Sequence, residues 1–178
     1  MLNTAGNQKN QWYIAEAAFV ILAADKMKNQ GSTTLFIPTD IPETPQPSVT
    51  NLALNKAATS SRPLNADNRP PESRGNDGDL SSAWFADGED NQWWAVDLGT
   101  VEKIDKVVIN WEGAFASGYT IQVSVDNVNF INVFSTTTGE GGDVTHSFDP
   151  IDARYVKLLL TKKGTVWEMT FWEFEVYN

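Results

Sequence analysis

From Asn51 to the C-terminus, apolar residues recur in short alternating or β-branched runs: WWAVDLG, KIDKVVINWE, YTIQVSV, FINVFS, ARYVKLLLT and TFWEFEVY, broken by Gly, Asp and Asn. A period of two is the mark of a strand with one face buried. Repeated runs of this kind, with no helical period between them, predict an all-β fold, an antiparallel β-sandwich. Between two of the runs, SVDNVNF carries the Asp and Asn that tolerate a tight reversal, so a hairpin turn is expected there.

The pattern upstream is different. Trp12 to Ala24 is apolar throughout except for Glu16, which predicts an α-helix within residues 1–31. Its apolar residues lie all round, so it needs burial on several sides. It is short for a membrane span and lacks the flanks of a signal peptide. The segment is expected to be the end of a truncated catalytic domain, to dock on its neighbour, or to pair with a second copy. Residues 32–50 hold Pro38, Pro42, Pro45 and Pro47, which remove backbone donors and favour an extended linker. Residues 51–178 are then the folded module.

Composition narrows the partners. The net charge is −10, which argues against phosphate-rich partners such as nucleic acid or an anionic membrane, because those are held through Lys and Arg. With no Cys there is neither a disulfide framework nor a thiolate metal site. His146 is the only histidine and lies in a predicted strand, DVTHSF, so no Ser-His-Asp set can be assembled around a loop.

The span from Asn51 to Asn178 resembles the discoidin family, the type C domain of coagulation factors, in its bacterial form as a family 32 carbohydrate-binding module. The resemblance rests on NLALNKAATSS, NDGDLSSAW, NQWWAVDLG with its Val-Asp-Leu-Gly ending, VVINWEGAFASGYTIQVSVDNVNF and RYVKLLLTKKGTVWEMTFWEFEVYN. It implies a discoidin-like jelly roll and a non-catalytic module that holds a polysaccharide-degrading enzyme on its substrate. The implied partners are an oligo- or polysaccharide and a glycosidase domain in the same parent chain, and the implied location is secreted or extracellular. A cell-surface adhesion domain is the alternative, and a small glycoside hydrolase a more remote one.

The resemblance also implies a structural calcium ion. Its ligands would be the Asp77 side chain, the carbonyls of Arg74 and Asp79, Ser82 through carbonyl and hydroxyl, the Trp172 carbonyl and the Glu173 carboxylate. Gly78 would supply the sharp turn that such a loop needs. Taken without the resemblance, RGNDGDLSSAW reads equally well as an Asx-turn.

For the sugar, Trp167 stands out. It lies in a polar, Gly-containing stretch, TKKGTVWEMT, where a large ring has no sheet to pack on and can instead meet the C–H face of a pyranose. Glu112 and Phe115 are expected on a loop at the same end, with Glu168, Phe85, Asp87 and Arg62 completing the rim. A carboxylate can accept from vicinal hydroxyls or from a sugar amine. Trp84, Trp93, Trp111 and Trp172 are expected in the core. Two departures from the resembled pattern are Ala83, where relatives carry Arg, and the long loop RPLNADNRPPESRG. Net charge over residues 51–178 is −9, which favours cationic chitosan over uronate polymers and leaves neutral β-glucan or mannan open.

Overall fold

The computed structural model describes residues 50–62 and 70–178. The helix expected in residues 1–31 and the Pro-rich linker up to residue 49 lie outside the described residues. Seven strands follow in order: β1 (Ala57–Ser60), β2 (Trp84–Phe85), β3 (Gln92–Trp111), β4 (Ala116–Ser124), β5 (Ile131–Thr136), β6 (Asp143–Lys163) and β7 (Thr170–Tyr177), with one 3₁₀ turn at Glu72–Gly75. Every pairing is antiparallel. The expected all-β sandwich is what the described residues form. Among the described residues no helix is long and apolar enough to cross a membrane.

The sandwich is built around two strands long enough to serve both sheets. The first part of β3, Gln92–Asp97, pairs with β1 and with Tyr155–Leu160 of β6, and β6 passes the register on to β4 and then β5. The later part, Glu102–Asn110, pairs with Asp143–Ala153 of β6 and, on its other side, with β7, which carries β2. We call the first set sheet A and the second sheet B. Register slips between Asp97 and Glu102 and again between Ile104 and Lys106. Gly99, with φ +90, lies at the first slip, a conformation that costs glycine little. Burial changes phase there: Trp94, Val96 and Leu98 face the core, Gly99 to Val101 are exposed, and Val107, Ile109 and Trp111 face inward again. What the pattern predicts as two strands, WWAVDLG and KIDKVVINWE, is one strand bent from one sheet into the other.

An aromatic cluster fills the interior. Phe171 meets Trp84 at 5.2 Å, Trp94 edge-on at 5.5 Å and Trp111 edge-on at 6.2 Å, and Phe174 lies 5.3 Å from Trp94. Trp84 and Trp111 are core, as expected. Trp93 and Trp172 are only half-buried, and Trp94 takes the place expected for its neighbour. One step along a strand exchanges faces, so in a WW pair only one ring can point inward.

Candidate functional site

The loop 72–82 reaches the core through fixed contacts. Gly75 is packed so closely that an added Cβ would meet Phe171 at 2.6 Å and Trp94 at 3.2 Å. Trp94 Nε1 donates to the Glu72 carbonyl, and fully buried Asn76 donates through Nδ2 to the carbonyls of Ala53 and Lys56. β2 pairs only with Thr170 and Phe171 of β7, so the next stretch of that strand's edge is met by the loop instead. Gly78, at φ +80, donates its N–H to Glu173 Oε1 at 2.9 Å.

Glu173 is 2% exposed, and its Oε2 has no hydrogen-bond partner. Its pKa is pushed up to about 7, first by burial and then by the neighbouring Asp77 carboxylate. Two ionised carboxylates cannot hydrogen-bond each other, because both only accept. A proton or a cation between them removes the conflict. Asp77 Oδ2 accepts the Ser82 hydroxyl at 2.7 Å, and Asp77 Oδ1 accepts the Asp79 N–H at 3.0 Å. Asp79 binds Ser81 through N–H and hydroxyl, and its carbonyl accepts Ser82 N–H. Between the pairs Asn110↔Glu173 and Trp111↔Phe171, β7 carries one extra residue, Trp172. A bulged residue of this kind is out of the ladder, and its carbonyl need not serve β3. Arg74 is exposed at the loop's start.

The oxygen-only donor set therefore fits a hard cation: two carboxylates, a hydroxyl and carbonyls around a glycine turn. Among the described residues no three His, Cys, Asp or Glu side chains come together, so backbone and hydroxyl oxygens would have to complete the shell.

The second group of residues gathers at one end of the sandwich. Glu112 N–H donates to the Thr170 carbonyl and Thr170 N–H to the Ala114 carbonyl, which joins the loop after β3 to the start of β7. Gly164 N–H donates to the Phe115 carbonyl, and Ala86 N–H to the Met169 carbonyl. Lys163 closes the set, its ammonium on the Gly88 carbonyl and its N–H on Asp90 Oδ1. Trp167 stands out from this rim at 71% exposure beside Val166 at 86%. Glu112 is half-buried, and its Oε2 accepts the Ala114 N–H at 2.8 Å, leaving Oε1 for other partners. Glu168, Asp87 and Phe85 are half-buried on the neighbouring segments, with the Glu168 stem facing Gly88.

Two expected rim residues are engaged inside the fold. Phe115 lies in the space left by Gly141 and Gly164, neither of which could carry a Cβ beside it. Arg62 is 7% exposed; its guanidinium binds the carbonyls of Phe85 and Pro70 and the Glu72 carboxylate, and it lies over Trp84. Sequence reasoning missed Asn76, Asn51 and Glu72, which hold the loops in place. An Asn in a turn signals local capping, but not a bond to residues twenty positions away.

The family model of the F5/8 type C domain matches residues 56–174. A solved structure of chitosan-binding module 1 from a chitosanase/glucanase of Paenibacillus sp. IK-5 is 43% identical, over 72% of this chain and 99% of that one, with a TM-score of 0.68. Module 2 of the same enzyme, solved with chitotriose, is 37% identical over 72% of this chain and 100% of that one, with a TM-score of 0.67. Among curated proteins, a polysaccharide lyase 8 family protein, HylA, of Enterococcus faecalis is 35% identical over 101 residues. That match spans 55% of this chain and only 7% of the lyase.

Proposed function

The chain belongs to the F5/8 type C domain family, and on that footing we propose that residues 51–178 are a non-catalytic carbohydrate-binding module that keeps a polysaccharide-degrading enzyme on its substrate. The observation that carries the reading is Trp167, a large ring held in solvent at the end of the sandwich with Glu112 and Glu168 on adjoining segments. The ring supplies apolar area for a pyranose face, and the carboxylates select by hydrogen-bond geometry. Glu168, Asp87 and Phe85 complete the rim, whereas Arg62 and Phe115 support it from within. The acidic balance of the module and its likeness to chitosan-binding modules favour a glucosamine polymer, with neutral β-glucan or mannan next. Affinity would be modest, roughly −4 to −7 kcal/mol, and tethering makes that sufficient through effective concentration.

In the same proposal calcium sits between Asp77 and Glu173 as a structural ion. Ser82, the carbonyls of Arg74, Asp79 and Trp172 and the Ser82 carbonyl would complete the shell. When bound, the ion neutralises the paired carboxylates and ties the loop to β7, and it takes no part in contacting the sugar. A secreted or extracellular setting follows from a polysaccharide target.

Affinity electrophoresis through gels containing soluble chitosan, β-glucan or mannan tests the reading. Retardation in at least one gel, lost in Trp167→Ala, is expected. Unchanged migration in all of them would turn the Val166–Trp167 spike into a protein-contact feature instead, and reducing-sugar release from any of them would make the chain an enzyme.

A further inference from the structure

We infer a second sugar subsite, on the outer face of sheet A, that takes an uncharged stretch of the glycan chain bound at Trp167. It rests on the glycan reading of that rim. An open groove of about 420 Å³ is lined by Thr120, Ser135, Thr136, Thr137, Thr138 and Thr161. All six carry a hydroxyl and none carries a charge.

The strands bring these residues together. Thr120 of β4 and Ser135 of β5 are cross-strand partners, and their hydroxyls lie 3.0 Å apart. Thr136 Oγ1 accepts the Thr138 N–H, which curls the end of β5 back over the groove. Thr161 enters from β6. Its Oγ1 would lie 2.7 Å from a Cβ at Gly118, so the missing side chain at Gly118 is what lets this hydroxyl stand over β4. Among the described residues the hydroxyls of Thr137, Thr138 and Thr161 have no hydrogen-bond partner in the protein.

The chemistry of the lining selects the occupant. A hydroxyl donates and accepts and can rotate to suit, so a cluster of them matches the mixed donors and acceptors of a sugar ring, while the threonine methyls offer apolar contact to its C–H groups. No side chain lining the groove could form an ion pair with a phosphate or a uronate. Such clefts ordinarily fall between roughly 300 and 1,000 Å³.

Position links the groove to the rim. Past Thr161, β6 runs through Lys162 and Lys163 into Gly164 and the Trp167 loop. On the other side Gly139, next to Thr138, donates its N–H to the Ser117 carbonyl, and Gly141 packs on Phe115. A glycan stacked on Trp167 is therefore led round the edge of the sandwich onto sheet A. The module would then recognise an internal run of several sugar units, with affinity that grows with chain length.

The test is calorimetric titration of the full chain with β-1,4-linked glucosamine oligomers of two to six units, and with the matching glucose and mannose oligomers. The double variant Thr138→Val/Thr161→Val keeps the β-branched shape and removes two hydroxyls. It should bind the dimer as the parent does and the hexamer about three- to tenfold more weakly. Amide shifts at Thr137, Thr138 and Thr161 should appear with the hexamer and not with the dimer. An unchanged hexamer affinity in the double variant, with Trp167→Ala still abolishing binding, overturns the groove and leaves the rim standing. Failure of the parent to bind any oligomer overturns the rim reading and the groove with it.

Discussion

The corner around Asp77 and Glu173 and the rim around Trp167 are both loop ends packed on β7, only three residues apart at Thr170 and Glu173. Yet they are built on opposite principles. At the corner Asn76 and Glu173 are turned inward and sealed, and the loop is clamped by Asn76, Gly75 and the Trp94 indole. At the rim the backbone is clamped just as firmly, through Glu112, Thr170 and Gly164, but the largest side chain is left in water. The first arrangement spends its side chains on holding the chain together. The second is held mostly by backbone, with Glu112 Oε2, Asp90 and Lys163 helping, and leaves the Trp167 ring outward for a partner. The contrast teaches that burial, rather than chemistry alone, separates the two roles: Glu173 and Glu112 are both glutamates, and only one is sealed.

The sharpest way to break this contrast is at Glu173. In calcium-containing buffer, Glu173→Ala should lower stability by roughly 2–3 kcal/mol, read as a fall in Tm, and chelator should no longer shift the remainder. Glu173→Gln keeps an acceptor for Gly78 N–H and removes the charge, so it should match or exceed the parent in chelator while gaining nothing from calcium. Next in size, Gly75→Ala forces a methyl into Phe171 and should cost about 1–3 kcal/mol in chemical denaturation, with the sugar affinity of the folded fraction unchanged. Trp167→Ala reverses that pattern. Its stability should stay within about 0.5 kcal/mol of the parent, while glycan retention is lost.

The smallest effect concerns His146, which lies outside both regions. Its ring stacks on Phe134 at 3.8 Å and its Nε2 lies 3.0 Å from the Tyr119 hydroxyl, so it bridges the edge strands of the two sheets. Burial lowers its pKa from the usual 6.5. The folded state therefore holds the proton less readily than the unfolded chain, and stability should fall as pH drops through about 6.5. Solvent screening keeps the loss below about 1 kcal/mol. Thermal melts of His146→Gln between pH 7 and pH 5 should lack this component.

Much of the sandwich was legible in the order of residues, because alternation reports burial on one face directly. The strand runs from KIDKVVINWE to TFWEFEVY lie where the alternation places them, and SVDNVNF forms the β4–β5 turn, with Asn127 at φ +61. The bend that makes β3 a single strand was not legible, since a corner at Gly99 and a loop at Gly99 look alike in sequence. Nor was the choice between Trp93 and Trp94, which depends on register. At the corner, Asp77 and Glu173 are 96 positions apart, and only the antiparallel topology joins them. The internal use of Arg62 was hidden for a related reason: its partners Glu72, Pro70 and Phe85 come from two other segments.

One tie at the far end of β7 has a further consequence. Asn51 Oδ1 accepts the Val176 N–H, and Leu52 N–H donates to the Val176 carbonyl, so the first and last segments of the folded module are stitched side by side. From Thr170 to Val176 is a strand length of roughly 20 Å, with Trp167 beyond the first and the stitch at the second. Asn51 and Val176 are thus held together at the end of β7 away from the Trp167 loop. A module whose two ends meet in this way can be added to a longer polypeptide, or placed in the middle of one, through a single point of attachment.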